Sequence, residues 1–162
     1  MLELVSQDRR FGICVPESAL SAIHEYCRRA HPKETGGILI GFYNNNQRRA
    51  TVTHVTGPPR DSHSDRCRFS RGIDGLAAML LRRWQRRPRT YYLGEWHYHP
   101  AADVTPSTRD REQMREFAAN PAVACREPLL LIVGSEHAGW PMNVEVYRDT
   151  GPPIVLDPAD PP

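Results

Sequence analysis

The chain has 162 residues, with 21 basic and 19 acidic side chains and a formal charge of +2, about the length of one ordinary domain able to bury a core. So small a charge does not by itself call for a polyanionic partner. There is no apolar run of about eighteen residues, and Met1 to Arg10 lack the charged, apolar, small-residue order of a secretory signal, so a soluble, cytoplasmic protein with no membrane partner is expected.

The four cysteines, Cys14, Cys27, Cys67 and Cys125, are isolated and form no C-x-x-C pair. This suggests neither a zinc knuckle nor a redox dithiol and leaves buried free thiols as the plain reading. Lys33 is the only lysine among the 21 basic residues.

In chain order, residues 2–14 predict a hairpin around "QDRR". "PESALSAIHEYCRRA" then predicts a helix over 16–30, opened by proline and carrying Leu20, Ile23 and Cys27 at helical spacing. His31-Pro32 stops that helix. "GGILIGFY" (36–43), the Asn44–Asn46 turn and "RRATVTHV" (48–55) predict a second hairpin, and the Gly- and Pro-bearing stretch 56–65 predicts a loop. A short strand near 67–69 and a helix over 73–87 follow. "YYLGEWHYH" (91–99) predicts a strand, "PSTRDREQMREFAAN" (106–120) a helix, and "PLLLIVG" (128–134) and "MNVEVYR" (142–148) two more strands. From Asp149 onward five of fourteen residues are proline, the composition of an extended, poorly ordered tail. The expectation is one α+β domain over 1–148, built on an antiparallel or mixed sheet, followed by a Pro-rich tail over 149–162.

Arg82, Arg83, Arg86 and Arg87, with Arg89 just beyond, make one basic face opposite Leu76, Leu80 and Trp84 on the 73–87 helix. A solvated face is the plain reading. Docking of an acidic protein or a nucleic acid is the other.

The densest chemistry lies in "GEWHYHPAADVTPSTRD", residues 94–110. By strand alternation Leu93, Glu95, His97 and His99 share one side, while Gly94, Trp96 and Tyr98 share the other. Pro100 ends the strand, and the next helix carries Ser107 and Asp110 one turn apart, so a carboxylate returns toward the two imidazoles. Two histidines and one carboxylate are the usual three protein ligands of a catalytic zinc that keeps an open position. Such chemistry needs a base beside the metal. Glu95, on the histidine face, and Glu34, at the mouth of "ETGGILIG", are both candidates, and geometry alone leaves the choice open. Each fragment also has an ordinary reading: histidines in a polar groove, and a Ser-x-x-Asp capping box with Thr105 and Pro106 as another cap and first helical residue. His24, His31, His54, His63 and His137 have no partner at ligand spacing and read as structural or exposed.

Taken together, E-x-G-G-x-L-x-G (Glu34 to Gly41), His97-x-His99-Pro100, six residues, Ser107, two residues and Asp110 resemble the JAMM motif of the MPN (Mov34/PAD1-type) metalloproteases. The resemblance spans about residues 12–148. It implies a cytidine-deaminase-like fold with a curved mixed sheet flanked by helices. It also implies one Zn²⁺ on His97, His99 and Asp110, with Glu34 as general base, Ser107 at the oxyanion and Glu95 as a mere neighbour. Proteins of this family hydrolyse isopeptide or peptide bonds at the C-terminus of ubiquitin and its relatives, whose extended tail would be held by strand addition. Tyr98 departs from the serine or threonine usual in the eukaryotic deubiquitinases.

The compact chain is similar to the small bacterial members encoded beside E1/E2-like enzymes in CBASS antiphage operons. Those proteins free a cGAS-like nucleotidyltransferase from conjugates or process its C-terminus. The resemblance therefore implies a conjugated protein with an extended C-terminal tail as substrate and E1/E2-like enzymes as pathway partners, with nucleic acid not expected. Other readings are a bacterial ubiquitin-like or sulfur-carrier substrate, a non-catalytic MPN scaffold, and a nucleic-acid binder using Arg82 to Arg89.

Overall fold

The computed structural model describes residues 1–159 apart from 45, 47 and 102. Asn45 of the expected turn, Ala102 of the connection after Pro100, and the last three residues of the expected tail lie outside the described residues. In chain order the elements are β1 (Leu2–Val5), β2 (Gly12–Val15), α1 (Glu17–Ala30), β3 (Thr35–Tyr43), β4 (Arg49–Val55), β5 (His63–Ser64), β6 (Phe69–Ser70) and α2 (Leu76–Gln85). They continue with β7 (Tyr91–Tyr98), α3 (Thr108–Ala119), β8 (Leu129–Val133), β9 (Met142–Val146) and β10 (Ile154–Pro158), with one 3-10 turn at Glu136–Ala138.

Eight strands close into a barrel in the order β1-β10-β9-β8-β7-β3-β4-β2, while β5 and β6 pair separately as a two-stranded ribbon. The β7/β8 and β2/β4 pairs are parallel and the other pairs of the barrel antiparallel. The α+β mixture agrees with the sequence, but the curved sheet expected there is here a closed one. The reason lies in the tail. Ile154, Val155 and Leu156 pair with Val146, Glu145 and Val144 of β9, and Asp157 and Pro158 pair with Val5 and Leu4 of β1. Residues expected to be extended and poorly ordered therefore close the barrel and bury Leu156, with Pro158 at the strand end, where a missing N–H is tolerated.

One side of the sheet packs on α1. Ala19, Leu20, Ile23 and Cys27, spaced to form one helical stripe, join a core with Trp96, Leu131, Val133 and Val144. On the other side Leu76, Met79 and Leu80 of α2 cover Ile38, Ile40 and Tyr92, and Met114 of α3 covers Leu130, Ile132 and Tyr147. α2 is shorter than the sequence predicted, because Arg86 is already extended two residues ahead of Pro88.

Strand β7 breaks strict alternation. Leu39 pairs with Gly94 and Ile40 with Tyr92, leaving Leu93 as an extra residue in a β-bulge. Leu93 therefore joins the α1-side core with Trp96 and Tyr98, and Tyr92 takes its place on the face of Glu95 and His97. The expectation that Leu93 shares the histidine face is corrected accordingly. Gly94 permits the bulge, since a Cβ there would stand 1.9 Å from the Leu129 carbonyl oxygen.

Candidate active site

The register of two strands brings the motif together. Thr35 pairs with Tyr98 and Gly36 with His97, so Glu34 and His99 are the next residues on their respective chains. Gly36 lets the strands meet, because a Cβ there would lie 2.4 Å from the Trp96 carbonyl oxygen and 2.9 Å from His97 Cδ2. Beyond the end of β7, His99 N–H donates to Val133 O of β8 across 2.9 Å, so the parallel neighbour holds the second histidine in strand-like register.

Both imidazoles converge on Asp110. His97 Nδ1 donates to Asp110 Oδ1 at 2.9 Å, and His99 Nε2 lies 3.9 Å from Oδ2. His99 Nδ1 contacts the Asp103 carbonyl at 3.0 Å. A carbonyl can only accept, so Nδ1 carries the proton and the lone pair stays on Nε2. With the proton of His97 likewise on Nδ1, its Nε2 is buried without a partner. Phe69 of β6 packs edge-on against the same ring, with centroids 5.5 Å apart.

Asp110 is both a cap residue and a site residue. Ser107 donates from its N–H (2.8 Å) and its Oγ–H (2.6 Å) to Asp110 Oδ2, and Asp110 N–H donates to Ser107 Oγ at 3.1 Å. This is a complete capping box at the start of α3, so Ser107, rather than Thr105, is the cap. Burial alone would push the Asp110 carboxyl up. The hydrogen bond and electrostatic pull of the His97 N–H, with the Ser107 hydrogen bonds, outweigh it and hold the group well below the usual carboxylate range.

Glu34 stands within the electrostatic field of His99, Asp110 and His97. Burial pushes its carboxyl up, and the net shift is upward although the two imidazoles pull against it. Its backbone is held on both sides by the β5–β6 ribbon: Glu34 N–H donates to Asp65 O at 2.7 Å, and Ser64 Oγ donates to Glu34 O.

Glu95, the other candidate base, does face the same side as His97, but both of its oxygens are engaged. Tyr92 Oη donates to Oε1 at 2.8 Å and Arg71 Nε donates to Oε2 at 2.6 Å, with Glu95 only 1% and Arg71 9% exposed as side chains. Nothing in the sequence singled out Arg71, Ser64 or Phe69. Arg71 is one arginine in an arginine-rich chain, and the ribbon that carries Ser64 and Phe69 contributes only two residues per strand. Two of the histidines set aside also find structural partners, His31 Nδ1 at 3.0 Å from Tyr98 Oη and His24 stacked on Trp140 at 4.2 Å.

The donor set is that of a borderline divalent cation: two imidazoles with free Nε2 lone pairs, one of them a buried orphan, and a carboxylate held ionised between them. A tetrahedral ion with bonds of about 2.0 Å wants donors about 3.3 Å apart. Among the described residues no three such side chains stand at that separation, because His97 and Asp110 are drawn together in a direct hydrogen bond while His99 stands back. His97, His99 and Asp110 thus fit an ion by type and by position, with the His97 ring turned so that its lone-pair nitrogen, rather than the N–H that now meets Asp110, would face the ion.

Comparison with known proteins places the chain in a family. The chain is 37% identical over 152 residues to a CD-NTase/cGAS isopeptidase of Enterobacter hormaechei subsp. hoffmannii, covering 93% of this chain and 83% of that one. A protein with the same description in Pseudomonas aeruginosa is 25% identical over 99% of this chain and 98% of its own. A probable metalloprotease of Sinorhizobium fredii is 26% identical over 79% of each chain. The solution structure of a Desulfitobacterium hafniense protein superposes with a TM-score of 0.59 at 20% identity, covering 91% of this chain and 90% of that one, which speaks to fold alone. The model of the prokaryotic homologues of the JAB domain matches residues 16–146, and the chain belongs to that family.

Proposed function

We propose that this protein is a cytoplasmic, zinc-dependent isopeptidase or peptidase. It cleaves after the C-terminus of a conjugated protein, the cGAS-like nucleotidyltransferase (CD-NTase) of a bacterial CBASS antiphage system, to release it from conjugates formed by E1/E2-like enzymes or to process its C-terminus. The observation that carries the reading is the convergence of His97 and His99 on Asp110 with the Glu34 carboxylate in their field. The names of the relatives support the substrate. The free state of Cys14, Cys27, Cys67 and Cys125 accords with a reducing compartment, and no helix among the described residues is long and apolar enough to cross a membrane.

In this reading His97, His99 and Asp110 hold the zinc, which when bound supplies Lewis-acid polarisation of the scissile carbonyl and a lowered water pKa. Glu34 takes the proton of the attacking water at its carboxylate and returns it to the leaving amine. Its backbone anchors on Asp65 and Ser64 limit how far that carboxylate can drift. Ser107 Oγ–H, directed here at Asp110, turns to the developing oxyanion, while Ser107 N–H stays on Asp110 Oδ2. Attack by water leaves no acyl-enzyme to resolve. The barrel leaves no strand edge open among the described residues, so an extended substrate tail adds to the β5–β6 ribbon beside Glu34.

The test is incubation of the purified protein with a CD-NTase carrying a C-terminal carrier fusion, with and without a chelator. Cleavage that stops with the chelator and returns with zinc is expected. An intact fusion, or cutting indifferent to the chelator, refutes the proposal, and preferential cutting of a ubiquitin-like or sulfur-carrier fusion moves the substrate assignment there.

A further inference from the structure

Helix α2 is unusual in this molecule because it buries none of its residues fully. Leu76, Met79 and Leu80 lean on the sheet, but Leu81 and Trp84 remain 56% and 47% exposed, and Ile73 just before the helix is 75% exposed. These three are the majority of the five large hydrophobic side chains exposed among the described residues. Ala77, Leu81 and Trp84 follow one another at i, i+4 and i+7, so they form a continuous apolar stripe beside the packed face. Trp84, which the sequence pattern placed opposite the basic face, belongs to this outer stripe.

On the other flank of the helix, with Arg82 and Arg86 about 160° around the axis from Trp84, runs strong positive charge. Arg82, Arg83, Arg86 and Arg87 form no ion pair among the described residues, and the Arg89 guanidinium lies 4.8 Å over the Trp84 ring. Met79, Arg82, Arg83 and Arg86 line a pocket of about 130 Å³ with no acidic side chain in its wall. Unpaired guanidiniums over an apolar floor on one flank, and an exposed leucine and tryptophan on the other flank of the same helix, are the composition of a protein-binding hot spot that straddles α2. A nucleic acid would use the charge but not the stripe. Trp84 is also poorly placed to stack on bases, with Arg89 over its ring and Tyr91 against it at 6.0 Å.

The patch is tied to the catalytic cleft by a short piece of chain. Phe69 touches His97, and α2 begins seven residues later, a reach of at most about 25 Å. A folded protein whose C-terminal tail enters the cleft is wide enough to cover it.

We propose that α2 is the docking surface for an acidic face of the folded protein substrate. One carboxylate side chain enters the pocket lined by Arg82, Arg83 and Arg86 on one flank of the helix, and apolar side chains of the same partner reach over the helix to pack on Leu81 and Trp84 on the other. That the partner is the substrate rests on the peptidase reading, whereas its acidic, apolar-centred chemistry rests on α2 itself.

The experiment uses the full chain with Glu34→Gln, to block cleavage, and the same chain also carrying Arg82→Glu and Arg86→Glu. Binding to the CD-NTase fusion and to a peptide of its junction is measured by titration calorimetry at about 50 and about 300 mM salt. Charge reversal should weaken binding of the folded fusion roughly tenfold or more and flatten its salt dependence, while the peptide binds as before. The milder Leu81→Ser should weaken the folded fusion alone. Unchanged affinity for the fusion, equal losses for fusion and peptide, or no binding of the fusion at all overturns the proposal. So does tight binding of a short DNA duplex that charge reversal abolishes while fusion affinity stays the same. Binding through α2 in a protein that never cuts the fusion would sink the peptidase reading and leave the docking surface standing.

Discussion

Arg71 Nε meets Glu95 Oε2 at 2.6 Å with both side chains almost wholly out of water, and the pair is the root of the ribbon that reaches Glu34. From Arg71 the chain runs back through Ser70 and Phe69 of β6, across to Ser64 of β5, and so to the carbonyl of Glu34. The guanidinium also donates to Gly72 O at 2.7 Å and lies 5.7 Å over the Phe117 ring of α3. A buried ion pair contributes little against a well-packed apolar replacement, but stranding one partner is costly. Arg71→Met or Glu95→Leu alone should therefore lower unfolding free energy by about 3–5 kcal/mol, and the double variant by much less than the sum of the two. Denaturant unfolding of the four proteins of that cycle measures it, and additive losses would show that the two charges do not depend on each other.

Ser64 offers a gentler probe of the same path, because it is exposed and its hydroxyl bonds the backbone of Glu34. If that bond holds the base in place, Ser64→Ala should lower kcat by about tenfold, equivalent to about 1.4 kcal/mol, with KM and melting temperature nearly unchanged. Ser64→Thr should restore the rate. A fall in melting temperature with kcat intact would make Ser64 a fold residue only.

How much of this was legible in the sequence depended on how local each cause is. α1 carries its burial in a helical stripe, β3 and β7 are legible as continuous runs, mostly of apolar, aromatic and small residues, buried on both faces, and the capping box places Ser107 and Asp110 without outside help. β10 was not legible, because its five residues sit among prolines and its pairing with β1 joins the two ends of the chain. Leu93 was placed on the wrong face because one bulge at Gly94 reverses the alternation of the residues before it. Glu95 could not be separated from Glu34 as a base, since its partner Arg71 lies 24 residues away with no spacing rule to connect them.

Metal and base can be separated by substitution. His97→Ala and Asp110→Ala each remove one of three converging donors, so both metal content and cleavage should be lost. Glu34→Gln keeps those donors and should retain zinc while cleavage falls by about 10²- to 10⁴-fold. Metal analysis beside the rate assay checks all three. A zinc-replete Glu34→Gln variant that cuts at the parental rate would mean the proton is taken by another group.

In the proposed reading Ser107 has two tasks, helix cap and oxyanion donor, and they can be pulled apart because a helix cap tolerates glycine better than alanine. Alanine at a cap costs about 0.5–2 kcal/mol and glycine only a few tenths, whereas neither can donate to an oxyanion. Ser107→Ala should thus lose both stability and rate, with kcat down about 10²- to 10³-fold if the hydroxyl donates at the transition state. Ser107→Gly should keep most of the stability and lose the same factor in kcat, and Ser107→Thr, which keeps a cap and a hydroxyl, should recover both. Should the rates instead follow the melting temperatures across the three variants, Ser107 would act through Asp110 and the cap of α3, and the oxyanion would need another donor.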